Sequence, residues 1–363
     1  MNPLLLHEFH QGLNAGFAEL NGMEIVADYG DWAVEYKALR EAAAILDLSF
    51  RGRICLLGND RVRFLHGQIT NDVKKLSAGE GCYAALTTAK GKMESDLNVF
   101  NLPDELLLDF EPGLTEKISQ RLEKFIVADD VQIVDVAPHY GLLSVQGPKA
   151  VEVVKAVGFA NPPSKEFSIT KTSDATLGEI YLANLPRIFP GKAGFDIFVP
   201  NDSLGAVADK LIAAAKSVGG GACGWTAFET ARIEGGIPRF GADMDETNLP
   251  MECIEASAMS FNKGCYLGQE VLNRIHAIGQ VAKQLRGLKL AGDLKTLPHK
   301  GDKLFNDGKE VGYITSAIQS PALHTNIALG YVRREANEVG TELMLRTAEG
   351  ESSVKIVALP FVK

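Results

Sequence analysis

A cysteine between two glycines is the strongest chemical pattern in the sequence. The run KGCYLGQE contains Lys263, Gly264, Cys265, Tyr266, Leu267, Gly268, Gln269 and Glu270. The glycines permit a tight turn that leaves room for a ligand beside the sulfur. Positive charge from Lys263 and from a following helix N-terminus would favour a reactive thiolate at Cys265. The alternative is that Cys265 is a small buried side chain beside a turn, and the residues alone leave both interpretations open.

A hairpin over residues 83–100 carries a second candidate. Alternation along its second strand predicts that Glu94, Asp96, Asn98 and Phe100 share one face. Asp96 could point from that face into a polar cleft and pair with a cationic or N–H-bearing ligand. A carboxylate that simply faces solvent is the alternative.

A third candidate is Arg232, at the end of a predicted helix that runs into a glycine-rich loop over residues 235–241. An arginine at a helix C-terminus is also a common partner of the helix dipole, so both roles stay open. The sequence contains no Walker loop and no H-E-x-x-H motif, and residues 219–221 do not form a G-x-G-x-x-G pattern. We therefore expect neither a dinucleotide site nor a zinc hydrolase.

The elements that must position these residues recur along the chain. Residues 54–65 read as a strand, a glycine turn and a helix, and residues 143–154 read the same way. The turn glycines, Gly58 and Gly147, are 147 − 58 = 89 residues apart. A repeat of this kind predicts two lobes of similar build.

A second strand–helix pair keeps nearly the same offset. A strand that ends at Pro112 precedes a helix over about residues 114–125, and a strand that ends at Pro200 precedes a helix over about residues 203–215. The two prolines are 200 − 112 = 88 residues apart. Each lobe therefore alternates strands and helices in the manner of a split βαβ unit.

The last eighty or so residues change character. Short strand patterns alternate there with turn signals and no amphipathic helix interrupts them, as at residues 288–290, 311–314, 328–332 and 354–357. This pattern predicts a small all-β barrel. The expected divisions are a first αβ lobe over 1–140, a second over 141–280 and the barrel over 281–363.

The three candidate sites, in this order, resemble the folate-binding superfamily of the glycine-cleavage aminomethyltransferase, the T-protein. Within it, residues 263–270 look like the signature of a branch that supports assembly or repair of iron-sulfur clusters and, through iron-sulfur enzymes, some tRNA modification. Further matching segments lie at residues 47–49, 70–73, 194–197, 232–246 and 311–316. The resemblance implies an α+β fold, with two ferredoxin-like lobes and a C-terminal β-barrel around a folate cleft. It also implies that tetrahydrofolate binds through Tyr83, Asp96 and Arg232, the last as partner of the glutamate tail.

Two departures from the transferase pattern count against transferase chemistry. An acidic pair on the hairpin strand of the transferase is here Ser95-Asp96, which keeps only the second acid. A carboxylate that binds the pterin there is replaced here by Lys192, a donor in place of an acceptor.

The first functional hypothesis is accordingly a tetrahydrofolate-binding protein that supports iron-sulfur client enzymes, with Cys265 as the essential nucleophile or transient ligand. The alternatives are a folate-dependent aminomethyltransferase that depends on Asp96, and a non-catalytic scaffold.

Composition limits the partners and the compartment. A net charge of −9 and a pI near 5.4 disfavour direct binding to nucleic acid. No stretch approaches the length of a membrane span and no secretion signal is evident, so we expect a cytoplasmic protein. The five cysteines show no metal-ligand spacing, and no metal site is expected; they are Cys55, Cys82, Cys223, Cys253 and Cys265.

Overall fold

The computed structural model describes residues 1–189, 191–292, 294 and 296–362. Its helices are α1 (His7–Gly12), α2 (Trp32–Glu41), α3 (Arg61–His66), α4 (Thr115–Glu123), α5 (Ala150–Ala156), α6 (Leu204–Ser217), α7 (Trp225–Glu234), α8 (Pro250–Cys253) and α9 (Gln269–Ile278). Short 3-10 turns span Val73–Lys75, Asn201–Ser203, Ala256–Ala258 and Arg334–Ala336.

The strands before the barrel are β1 (Gly16–Leu20), β2 (Met23–Asp28), β3 (Ala44–Asp47), β4 (Gly52–Leu57), β5 (Glu80–Thr87), β6 (Met93–Asn101), β7 (Leu106–Phe110), β8 (Gln132–Asp135), β9 (Tyr140–Gln146), β10 (Ser168–Asp174), β11 (Gly178–Asn184), β12 (Gly194–Pro200) and β13 (Gly221–Ala222). The barrel strands are β14 (Lys283–Leu290), β15 (Lys303–Asn306), β16 (Lys309–Ser320), β17 (Thr325–Arg333), β18 (Glu342–Thr347) and β19 (Gly350–Val357).

A large mixed sheet contains the predicted repeat. Its strand order is β13-β3-β9-β12-β11-β10-β5-β6-β7-β4-β8. Toward the centre of the sheet, the strands of the first half follow the order β4-β7-β6-β5 and those of the second half the order β9-β12-β11-β10. Strands at the same place in the two orders correspond. In each half the first strand leads into a helix, α3 or α5, and the second strand of the inward order, β7 or β12, leads into another, α4 or α6. The halves meet where Glu80 of β5 pairs with Ser168 of β10. The prediction of two ferredoxin-like lobes is confirmed.

One strand from the N-terminal segment enters the second half of the sheet. β3 lies between β9, to which it is antiparallel, and β13, to which it is parallel. All four of its residues are buried, since both faces of the sheet are covered at this point. The bounds at residues 140 and 280 stay predictions.

The two faces of the sheet differ in chemistry. On one face, α3 and α4 pack on the first half through residues such as Leu65 and Leu122, and α5 and α6 pack on the second half through residues such as Val153 and Leu211. The opposite face carries polar side chains, packed beside a core that includes residues of α2 and α7. The polar face therefore lies inside the molecule rather than against solvent.

The C-terminal segment forms the predicted closed barrel, in the order β14-β17-β16-β15-β18-β19. Glu234, at the end of α7, joins the lobes to it. Its carboxylate accepts hydrogen bonds from the hydroxyl of Tyr36 in α2 at 2.5 Å and from that of Ser320 in the barrel. Within the described part of the chain, no helix has the length and apolar character needed to cross a membrane.

Candidate functional site

Alternation along β6 builds the first part of the site. Ser95, Leu97 and Val99 are fully buried on the face covered by α3 and α4. Asp96 and Asn98, on the other face, are half-buried, as the sequence predicted. The exception is Phe100, which is fully buried because it packs into the core beneath α2 and α7.

A β-bulge shifts the register before Ser95, so Met93 packs with Ala85, Phe240 and Met244. The prediction that Glu94 shares the Asp96 face is wrong, because Glu94 pairs with Arg121 of α4.

Asp96 and Tyr83 form a hydrogen-bonded pair on this face. The Tyr83 hydroxyl donates to Oδ2 of Asp96 at 2.8 Å, while Oδ1 of Asp96 is buried without a hydrogen-bond partner. Burial raises the pKa of the Asp96 carboxyl to about 6, and the nearby Glu111 carboxylate adds to the effect. The pKa of Tyr83 is raised well above its usual value, first by burial and then by Asp96. Tyr83 therefore stays a neutral donor, and Asp96 exchanges a proton near neutral pH.

A buried network of ion pairs lies behind this pair. Arg51 donates to Asp109 at 2.8 Å and to Glu111 at 2.5 Å, and Arg187 joins Asp109 of the first lobe to Asp196 of the second. Burial alone would raise the pKa of Asp109, but Arg187 and Arg51 hold it well below its usual range. The five buried charges of this network, on Arg51, Asp109, Glu111, Arg187 and Asp196, are thus paired with one another.

The network continues to the barrel through Arg232, which is 2% exposed. Its guanidinium donates to Glu229 at 2.8 Å, to Asp243 at 2.6 Å and to the carbonyl of Ile237 at 2.9 Å. Asp243 in turn accepts from two barrel hydroxyls, and Arg239 links Glu229 back to Glu111. The guanidinium of Arg232 thus has protein carboxylates as partners, and its role toward a ligand stays a prediction.

Sequence reasoning missed most of this network. Asp109 lies in β7 and Glu111 just after it, two positions apart in the sequence. This two-residue spacing predicts that they share one face of the sheet, and it is the signal that could have placed them beside Asp96. Nothing in the sequence pairs Arg187 with acids on two different strands. Those contacts depend on the way in which the two lobes meet.

The KGCYLGQE loop is fastened to α3. The Lys263 ammonium donates to the carbonyls of His66, Ile69 and Asn71 at 2.6, 2.7 and 2.6 Å. Desolvation by burial lowers the pKa of Lys263 to about 8. All three N–H donors of Lys263 bind main-chain oxygens at the C-terminus of α3 and in the segment that follows it, so the ammonium holds the loop in place. An activating effect of Lys263 on Cys265 stays a prediction.

Cys265 is exposed at the turn of this loop, so the interpretation of a buried packing residue is wrong. The loop also touches the β5–β6 hairpin, since Oγ1 of Thr87 donates to the carbonyl of Leu267 at 2.7 Å. The loop that carries Cys265 thus contacts the hairpin that carries Asp96, although no hydrogen bond between described residues joins the two side chains directly.

The other signature residues have distinct structural roles. Gly268 has φ of +90°, and a Cβ there would lie 2.5 Å from a carbonyl oxygen of the hairpin, so only glycine fits. Gly264 has no such constraint, because its nearest neighbour would be 3.6 Å away. Tyr266 is buried, Oε1 of Gln269 accepts from its backbone N–H at 3.2 Å, and Glu270 is exposed in the first turn of α9.

Comparison with protein families covers almost the whole chain. A family model described as the GCVT N-terminal domain matches residues 6–263, and one described as the glycine cleavage T-protein C-terminal barrel domain matches residues 283–363. The second match coincides with the barrel seen in the structure.

Individual relatives and a solved structure agree with this. Proteins named aminomethyltransferase are 27% identical in Geobacillus sp., over 99% of this chain and 98% of theirs, and 28% identical in Bacillus subtilis, over 95% and 94%. The fold is similar to the crystal structure of glycine cleavage system aminomethyltransferase T from Bartonella henselae. That match has a TM-score of 0.88 and 22% identity, and it covers 99% of this chain and 98% of that one.

Proposed function

Because the chain belongs to the glycine cleavage T-protein family, we propose that it is a tetrahydrofolate-dependent aminomethyltransferase with Asp96 as its proton-transfer group. The observation that carries the proposal is the Asp96–Tyr83 pair, with one carboxylate oxygen held and the other without a partner. Full-length similarity to proteins named aminomethyltransferase supports the same assignment. The proposal places aminomethyl transfer ahead of support for iron-sulfur enzymes, whereas the sequence alone favoured the opposite order.

The residues of the site fit tetrahydrofolate. Its pterin ring and amines present N–H donors, and the unpartnered Oδ1 of Asp96 is an acceptor that lacks a donor. When bound, tetrahydrofolate supplies the amine nitrogens to which a one-carbon unit can be attached. Tyr83 fixes Oδ2 so that Oδ1 stays free to accept hydrogen bonds and protons. With its pKa at about 6, Asp96 is mostly ionised at neutral pH and can accept a proton there.

Arg232 is proposed to support this site through its neighbours. It fixes Glu229, which pairs with Arg239, and Arg239 holds Glu111 close to Asp96. Burial is the main cause of the raised pKa of Asp96 and Glu111 adds to it, so the ion-pair network contributes to the proton affinity of the site.

The two departures from the transferase pattern lie away from Asp96. Ser95 is fully buried on the opposite face of β6, so an acid at that position would not point into the same site. Lys192 is exposed and lines a surface cavity with Val151 and Lys155 of α5. In this fold neither residue removes an acceptor from the Asp96 pair.

Support of iron-sulfur enzymes through Cys265 is the second candidate, favoured by the exposure of this thiol on a loop anchored by Lys263. Clusters usually take four thiolates, and among the described residues no group of three or more His, Cys, Asp or Glu side chains could hold a metal ion. Any cluster contact would therefore be shared with a client protein.

Two variants separate the candidates. Release of ammonia from an aminomethylated lipoyl carrier, dependent on tetrahydrofolate, should fall by about 10²-fold or more in Asp96→Asn, since a proton-transfer group contributes on that order. Cys265→Ala should retain the activity, as should Asp104→Asn, a control at an exposed acid just after the hairpin. Loss of activity in Cys265→Ala with Asp96→Asn unaffected would overturn the assignment. Iron-sulfur enzyme activity would then be measured in a deletion strain that expresses the unmodified protein or a variant. Rescue by every protein except Cys265→Ala would establish the second candidate.

A further inference from the structure

Asn98 is a polar residue of β6 that the proposed proton transfer does not use. It lies two positions after Asp96 on the same face of the strand, and it is half-buried like Asp96. In the register of the sheet it stands directly opposite Tyr83 of β5 on one side and Asp109 of β7 on the other. Asn98 therefore lies between Tyr83 and the buried ion pairs of Asp109.

The contact with Asp109 fixes which way the amide of Asn98 is turned. Its Nδ2 donates to Oδ2 of Asp109 at 2.8 Å. Burial alone would raise the pKa of Asp109, but Arg187 and Arg51 lower it, so this carboxylate is ionised and can only accept hydrogen bonds. The opposite orientation of the amide would place two acceptors against each other. The amide oxygen of Asn98 is therefore turned away from the ion pairs.

This oxygen is free and accessible. Among the described residues Oδ1 of Asn98 has no hydrogen-bond partner, and it is not one of the buried side-chain atoms that lack a partner. It therefore has surface that a ligand can contact. Because Oδ1 of Asp96 also lacks a partner, this face of β6 presents two acceptors without donors.

The two free oxygens define the chemistry of a ligand. Alternate residues of a strand are roughly 7 Å apart, so donors at separate positions of a ring match them better than one amino group does. A carboxylate would meet two acceptors and gain no hydrogen bond. The nearby Arg53 does have unpartnered N–H groups, but it is 1% exposed and out of reach of a ligand. The face thus fits a rigid ring that carries several N–H donors.

We propose that Asn98 is a binding residue that accepts a hydrogen bond from an N–H group of the tetrahydrofolate ring, while Asp96 exchanges the proton. This bond fixes the rotation of the ring against β6, and it selects rings with a donor at that position over rings without one. The inference rests on the proposed function, because it assumes that the ring lies against Asp96. It assigns ring recognition to a neutral amide that takes no part in proton transfer.

Binding of tetrahydrofolate, measured by calorimetry without the carrier, tests the assignment. Asn98→Leu has a similar volume but no acceptor, and it should weaken binding about tenfold, since one hydrogen bond to the ligand is lost. The fold should persist, because Asp109 keeps its bonds to Arg51 and Arg187. The matched control Asn101→Leu removes an amide of the same strand that donates to the carbonyl of Leu76, and it should bind like the unmodified protein.

Analogues of tetrahydrofolate in which one ring N–H at a time is replaced by C–H identify the contact. The unmodified protein should bind one of them about tenfold more weakly than tetrahydrofolate, whereas Asn98→Leu should bind that analogue and tetrahydrofolate equally. A merely structural role of Asn98 would not produce this difference between ligands. Asn98→Ala removes the same acceptor without apolar bulk, so it replaces Asn98→Leu if the latter does not fold.

The possible failures are distinguishable. If the unmodified protein binds tetrahydrofolate and Asn98→Leu binds it equally well, the contact is absent and the proposed function stands. If Asn98→Leu loses the same factor for every analogue, or if Asn101→Leu shows the loss as well, the effect is structural and the assignment is overturned. If the unmodified protein does not bind tetrahydrofolate, the proposed function and this inference fall together.

Discussion

Replacing Asp96 with asparagine should make the protein more stable at alkaline pH, although it removes the proposed proton-transfer group. The carboxyl pKa is about 6 in the folded protein and 3.8 in its ordinary environment, so folding raises it by 6 − 3.8 = 2.2. A raised carboxyl pKa means that the folded state binds the proton more tightly than the unfolded state. Stability is therefore lost as the pH rises from about 4 through 6, because the folded chain must ionise a buried acid.

The size of the effect follows from the same values. At 1.36 kcal/mol for each factor of ten in proton affinity, full ionisation destabilises the folded state by about 3 kcal/mol. Asparagine cannot ionise, and its carbonyl can still accept from the Tyr83 hydroxyl. Asp96→Asn should thus increase the free energy of unfolding by about 3 kcal/mol at pH 8 and by only about 1 kcal/mol at pH 4.5.

Urea unfolding at these two pH values measures the difference directly, with Asp109→Asn as the control. Asp109 has a lowered pKa because Arg187 and Arg51 overcome the effect of burial, so its ionised form stabilises the fold above its ordinary pKa. Its replacement leaves two buried arginines without that partner and should destabilise by about 3–5 kcal/mol. At pH 8, the free energy of unfolding should therefore increase in Asp96→Asn and decrease in Asp109→Asn. A destabilised Asp96→Asn variant, or a difference that does not change with pH, would refute the account of the Asp96 environment.

Other predictions concern the signature loop. Gly268→Ala should lower the melting temperature, because the new Cβ would lie 2.5 Å from the Thr88 carbonyl oxygen at a position with φ of +90°. The control Gly264→Ala should melt close to the unmodified protein. Equal melting temperatures for the two variants would contradict these roles. Lys263→Met should leave three carbonyls without their charged donor and destabilise by about 2–4 kcal/mol in urea. The same change should speed alkylation of Cys265 by iodoacetamide as the loop loosens, and an unchanged rate would show that other contacts hold the loop.

Local patterns predicted much of the fold. The strand–glycine–helix repeat is visible because Gly58 and Gly147 adopt positive φ where a strand turns into a helix, a conformation that few other residues tolerate. The barrel strands and the faces of β6 from Ser95 to Val99 follow from two-residue alternation, which depends only on neighbours in the chain. The β-bulge that turns Met93 and Glu94 out of this alternation has no such local signal. These features are encoded within about a dozen residues each.

Other features depend on residues far apart in the chain. The insertion of β3 beside β9 joins segments about a hundred residues apart, and a short buried run of four residues does not indicate its partner. Lys263 finds its carbonyl partners nearly two hundred residues earlier, at the end of α3. For the same reason the sequence predicted neither the carbonyl partners of Lys263 nor the carboxylate partners of Arg232. Both side chains are held by long-range contacts that only the assembled lobes create.

The pH dependence of ammonia release tests the central claim most directly, with tetrahydrofolate and an aminomethylated lipoyl carrier as substrates. If Asp96 accepts the proton, the rate should rise with an inflection near pH 6, where its carboxyl ionises. That inflection should disappear in Asp96→Asn together with most of the rate, and it should persist in Cys265→Ala. No tetrahydrofolate-dependent release at any pH, or an unchanged profile in Asp96→Asn, would contradict the assignment of aminomethyl transfer to this site.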